Sequence, residues 1–188
     1  MKTLAALTTS IKTRIAMEMT IPDVLDLSEE AIAIMAVDII PEIMLRLDTE
    51  DYQELLFPLK PVTMTNDNGE LPEDLFRVKD VLLTSGKRCV YYSDFADYQA
   101  FDESSALMTP TDDVPISSVA DGHLYVRPVQ TDVLLTYYRK HPELTPSQGV
   151  LLSSSGIKIL EDAIVAKYFA QAQDANRAGF EQNSLIGA

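Results

Sequence analysis

Residues 27 to 47, LSEEAIAIMAVDIIPEIMLRL, constrain the fold more than any other stretch of this chain. Placed at 100° per residue, Ile32, Ala36, Ile39, Ile43 and Leu47 fall on one side of a helix. Ile34, Val37, Met44 and Leu45 occupy much of the other side. Past the first turn, Asp38, Glu42 and Arg46 stack at i, i+4 spacing into one narrow polar stripe. A helix this apolar has to be covered on more than one face, so the rest of the chain, or another chain, must supply at least two surfaces. Pro41 cannot donate to the carbonyl of Val37, and a kink or break is expected there. Ahead of the helix, Pro22 suits a turn, and Asp26 with Glu29 reads as a capping pair.

Two more helices are predicted. Residues 3 to 18 place Leu4, Leu7, Ile11 and Ile15 at spacings of three and four. Residues 155 to 180, capped by Ser154 or Ser155, carry Ile157, Leu160, Ile164 and Tyr168 on one face and Ile159, Ala163, Ala166 and Ala170 on another. The alanines permit close helix approach, and this helix too looks covered on both sides. After Gly179 the segment FEQNSLIGA has no periodicity and is expected to be extended. No stretch matches a signal peptide or the ~18 uncharged apolar residues of a membrane span, so synthesis in the cytoplasm is expected.

The middle of the chain carries the β signal. Residues 48 to 76 hold Pro58, Pro61 and Gly69 and read mostly as connector. Phe76 and Val78 alternate, Asp80 interrupts, and Val81 and Leu83 resume out of phase, which predicts a bulge. Ser85-Gly86 would turn this strand into a return strand over Arg88 to Tyr92. Ser93 or Asp94 can cap a short helix that packs Phe95, Tyr98 and Phe101. Residues 102 to 118, acidic and with two prolines, read as a mobile loop. A second hairpin follows in GHLYVRP and TDVLLTYYRK, with Leu124 and Val126 on one face and Val133, Leu135 and Tyr137 on another.

Charge and motif content exclude several chemistries. The net charge of −14 argues against a general phosphate-binding surface, and Lys87-Arg88 reads as a solvated turn. Acidic runs such as DTED at 48 to 51 read as solvated loops. Cys89, the only cysteine, falls in a predicted strand and reads as a small buried hydrophobe. His123 reads as a surface residue at a strand end, and neither it nor His141 lies in a catalytic motif. The seven glycines form no phosphate loop, and HExxH and CxxC are absent. No enzyme, cofactor or metal site is expected.

Three stretches carry a resemblance: LPEDLFRVKDVLLTSGKRCVYYSDFADYQAF, GHLYVRPVQTDVLLTYYRKHPELT and ILEDAIVAKYFAQAQD. Leu71, Pro72, Asp74, Leu75, Phe76 and Val78 follow an LP-x-D-aromatic-x-x-V pattern, and Leu124 to Pro128 follow L-Y-V-x-P. Tyr137 to Arg139 then precede a P-x-L-T segment at Pro142 to Thr145 and an alanine-rich closing helix. In this order, over roughly residues 20 to 180, the chain resembles the head-to-tail connector (adaptor, or head-completion) proteins of tailed bacteriophages. It departs from their pattern where Leu75 separates Asp74 from Phe76, and where Lys79-Asp80 interrupts the strand.

Residues and resemblance together lead to an α+β fold, mainly helical. It would be an antiparallel bundle of two N-terminal helices and a long C-terminal helix, with an inserted antiparallel β-hairpin module and an extended C-terminal tail. Residues 1–188 would form a single connector domain, with a helical core at 1–60 and 150–180, the β insertion at 71–140 and the tail at 181–188. The resemblance implies a structural virion protein at the neck. It would be a homo-oligomer, a ring of about twelve copies under the portal protein that also meets tail or neck proteins, with DNA passing through without specific binding. Another neck or tail-completion subunit, or a non-viral interaction adaptor, is the alternative. Phe180, Leu185 and Ile186 would anchor the tail on the portal or a neighbouring subunit; the other reading is a frayed terminus. Part of the acidic charge would line the channel, or would serve only to keep the subunit dispersed.

Overall fold

A computed structural model describes residues 2–18, 27–101, 109–145 and 149–186, with side chains described up to residue 173 in the last helix and up to residue 17 in the first. In chain order the elements are α1 (Leu4–Glu18), α2 (Glu29–Arg46), a 3-10 segment (Thr49–Leu55), β1 (Leu56–Thr63), β2 (Asn68–Glu70), β3 (Leu75–Leu83) and β4 (Val90–Tyr92). There follow α3 (Phe95–Gln99), β5 (Ile116–Ala120), β6 (His123–Arg127), β7 (Asp132–Arg139) and α4 (Ser154–Ile186). The backbone divides into a helical unit, residues 1–54 with 141–188, and a β unit, residues 55–140. Helix and strand are roughly balanced, which corrects the expectation of a mainly helical chain; seven strands stand among the described residues where four were expected.

In the helical unit α4 packs against both α1 and α2, and these two touch each other. The spacing of α1 buries Leu4, Leu7, Ile11 and Ile15. Ser28, not Asp26, caps α2: its Oγ accepts from the Ala31 N–H at 3.1 Å. Asp26 lies outside the described residues. Glu29 and Glu30 in the first turn and Arg46 in the last complement the helix dipole. The helix carries Pro41 inside it and is not divided there. α4 starts one residue earlier than expected, and Ser153 caps it through its Oγ to the Gly156 N–H at 3.1 Å. At the other end, the tail expected to be extended over 181–188 instead continues α4 to Ile186, and residues 187–188 lie outside the described residues.

The β unit holds two sheets, ordered β1-β7-β3 and β2-β6-β5-β4. Neither expected hairpin forms as such. The turn after Leu83 closes, with the Leu83 N–H on the Lys87 carbonyl and the Cys89 N–H on the Val81 carbonyl, both at 2.8 Å. From Val90 onward, however, the return arm leaves β3 and pairs in parallel with β5. β6 and β7 belong to different sheets and meet through their side chains: Leu124 and Val126 join Val133, Leu135 and Tyr137 in one core. The expected bulge is present, as the register of β3 on β7 shifts between Val78 and Asp80. β1 occupies what reads in sequence as connector; it accommodates Pro58 and Pro61 at a sheet edge, with a register shift between Phe57 and Lys60 where Leu59 takes φ 51°. Residues 116–118, expected in a loop, are β5 strand, and 102–108 lie outside the described residues. Gly69 lets β2 approach β1: a Cβ there would sit 2.8 Å from the Thr63 carbonyl oxygen.

Candidate interaction surface

On α2, Ile32, Ala36, Ile39, Ile40, Ile43 and Met44 are buried in the helical unit. Of the other apolar side, Met44 is covered and the rest is not. Ile34 is 62% exposed, Val37 51% and Leu45 76%, and Pro41 between them is exposed as well. Both rows were legible as apolar; which one the chain covers with its own residues is decided by α1 and α4. Beside the exposed row runs a groove of about 440 Å³ between α2 and α4, floored by Ile39, Ile43 and Ala163. Lys167 of α4 crosses its rim and donates to Asp38 at 2.9 Å. Ile159, at 45% exposure, extends the apolar surface onto α4.

The ends of this bundle are fastened by polar contacts. Lys2 pairs with Glu161, and Arg14 with Asp162 at 2.6 Å. Asp51 Oδ1 accepts from the hydroxyls of Ser153 and Ser155, each at 2.5 Å, while the Ser153 N–H donates to the Asp51 carbonyl at 2.7 Å. The Ser153 hydroxyl, then that of Ser155, holds the Asp51 carboxyl below its ordinary value of 3.8. Asp51 belongs to the acidic run read as solvated; its partners stand about a hundred residues away, a distance at which spacing carries no signal. His141 is oriented on both sides: Nδ1–H donates to the Pro142 carbonyl at 2.6 Å, and Nε2 accepts from the Leu151 N–H at 2.8 Å. Burial pushes its pKa below the ordinary 6.5.

In the β unit the residues of the resemblance come together. Tyr137 of β7 donates to Asp74 Oδ1 at 2.9 Å, the Lys140 N–H to the Asp74 carbonyl at 2.7 Å, and Lys140 Nζ to the Glu73 carbonyl at 2.8 Å. The LPED and TYYRK segments thus close one end of the β1-β7-β3 sheet, and Asp74, one place away from the family pattern, is the carboxylate that reaches Tyr137. Burial first, then Asp74, pushes the Tyr137 phenol up to about 12. α3, capped by Asp94, buries Tyr98, over whose ring the Arg127 guanidinium stands at 4.8 Å. Arg127 also donates to the Phe101 carbonyl, and Phe95 packs on Tyr125 with ring centroids 4.7 Å apart. Val90, Tyr91, Val114 and Val129 are exposed.

Burial pushes the Cys89 thiol up to about 12, which keeps it from forming a thiolate. Among the described residues no group of three histidine, cysteine or acidic side chains could hold a metal ion, and no helix is long and apolar enough to cross a membrane. The backbone of Phe180, Leu185 and Ile186 belongs to α4; their side chains lie outside the described residues.

An α+β chain with two small sheets, a three-helix unit and an exposed apolar row on α2 is the class this geometry defines. The chain belongs to the SU10 adaptor protein family, phage head-to-tail adaptors, whose family model matches residues 2–185. No curated protein matches it.

Proposed function

We propose that this chain is a non-enzymatic structural subunit of a phage neck, acting as one connector domain over residues 1–188. Copies form a ring of about twelve below the portal protein, tail or neck proteins dock on the far side, and DNA passes through the lumen. The observation that carries this reading is the exposed row Ile34, Val37, Pro41 and Leu45, an apolar helix face left uncovered by the described residues in a member of an adaptor family. Phe180, Leu185 and Ile186, on the last turns of α4, are placed by this reading on the portal or a neighbouring copy. The charge of −14 fits a channel that does not grip phosphates, because each Lys or Arg contact would add attraction to the sliding duplex.

Electron microscopy and native mass spectrometry of the chain, alone and mixed with the portal of its phage, test the proposal. Rings or portal-bound rings are expected. A chain that joins neck or tail proteins but never the portal would favour the other neck or tail-completion role, and one that joins no virion protein would end the proposal.

A further inference from the structure

We infer that the exposed row of α2 is covered by the outer face of α1 from a second copy of this chain; this rests on the ring reading above and specifies its contact. The outer face of α1 is unusual for a solvent-facing helix. Ala5, Ala6, Thr9, Thr13, Ala16 and Met17 are exposed, and Lys12, at the edge of this face, is the one charged side chain exposed among them. The hydroxyls of Thr9 and Thr13 turn back onto their own helix, donating to the carbonyls of Ala5 at 2.9 Å and Thr9 at 2.8 Å. Their donors are therefore satisfied, and covering this face strands no hydroxyl proton. Small residues make it a shallow trough, and the α2 row of Ile34, Val37, Pro41 and Leu45 supplies the ridge.

Length and charge match as well. From Ala5 to Ala16 and from Ile34 to Leu45 the two helices advance equally, about 16 Å at ~1.5 Å per residue. α1 has no acidic residue before Glu18, and two of the basic groups at this end are already used, Lys2 by Glu161 and Arg14 by Asp162. Lys12 is exposed and has no anionic partner among the described residues. On α2, Asp38 is held by Lys167, while Glu42, beside the apolar row, has no cationic partner among the described residues. A second copy brings Lys12 to Glu42 as its α1 trough takes the α2 ridge. Because the two faces differ, the contact is head to tail and repeats from copy to copy, the type that closes into rings.

The test uses the full chain in concentrated solution and on portal particles. Lys12→Glu and Glu42→Lys should each weaken self-association by about fivefold, and the two together in one chain should restore it to within about twofold of wild type. Leu45→Asp should weaken it by about a hundredfold. Circular dichroism should show all four variants folded, since the replaced side chains are exposed in the single chain. Assembly that is insensitive to these changes, or a double variant weaker than either single one, overturns the α1–α2 contact and leaves the ring standing. A wild-type chain that never self-associates, in solution or on the portal, overturns both.

Discussion

The helical unit and the β unit are each fastened by a carboxylate that reaches hydroxyls far along the chain, yet the two bonds work in opposite directions. In the helical unit Asp51 is the charged partner. Two serine hydroxyls at the start of α4 stabilise its anion, so folding favours ionisation. In the β unit the partner of Asp74 is the weak acid Tyr137, and burial with a nearby anion favours the neutral phenol. His141 adds to the asymmetry, because the helical unit holds it neutral. The helical unit should therefore weaken first in acid and the β unit first in alkali.

The largest effects should come from the two cores. Leu135→Ala in the central strand β7 and Ile164→Ala in α4 remove fully buried side chains, and each should cost about 3 kcal/mol in chemical denaturation. Hydrogen exchange should place the first loss on β1, β3 and β7 and the second on α1, α2 and α4; identical patterns would erase the distinction between the units. Next is Gly69→Ala. Its methyl would meet backbone at 2.8 Å, and about 2 kcal/mol should be lost with no change in the helical unit's exchange.

Breaking the fasteners should cost less. Asp51→Ala leaves the Ser153 and Ser155 hydroxyls with only each other, 2.7 Å apart, for a loss of about 1 kcal/mol, and Tyr137→Phe should lose a similar amount. The smallest and most discriminating readout is pH. His141 has a folded pKa below its ordinary 6.5, so the unfolded chain takes up the proton first and stability falls as pH drops below 6.5. His141→Gln should flatten that limb of a melting-temperature profile. Asp51 adds a second acid loss, beginning as pH falls towards 3.8 and completed below its depressed folded value. The folded Tyr137 is raised from 10.0 to about 12, so its contribution is present below pH 10 and is lost between 10 and 12. Tyr137→Phe should shrink the alkaline limb, to which buried Cys89 and Tyr98 also contribute, and leave the acid limb in place; a variant that also moved the acid limb would show that the two units do not respond separately.

The helices were legible because their signal is local. Leu4, Leu7, Ile11 and Ile15 line one face through spacing that any window of a few turns contains, and the same holds for Leu160, Ile164 and Tyr168. The bulge near Asp80 and the cap at Asp94 were legible for the same reason. β1 was hidden by Pro58 and Pro61, which an edge strand tolerates, and its pairing with β7 joins residues too far apart for any pattern to register. The hairpins were misread because a turn announces only that the chain reverses, not that the arms stay paired; after Cys89 the arm found β5 instead.

On its own, then, the sequence determined where helices run, that α2 is apolar nearly all round, and that the LPED and TYYRK segments matter. Tertiary structure alone decided which row of α2 the chain buries, that Asp74 meets Tyr137, that Asp51 meets the start of α4, and how the seven strands among the described residues divide into two sheets. The reason is physical: periodicity is a property of neighbours a few residues apart, whereas burial and pairing depend on what arrives from elsewhere in the chain, and for the row Ile34, Val37 and Leu45 nothing among the described residues of the helical unit arrives.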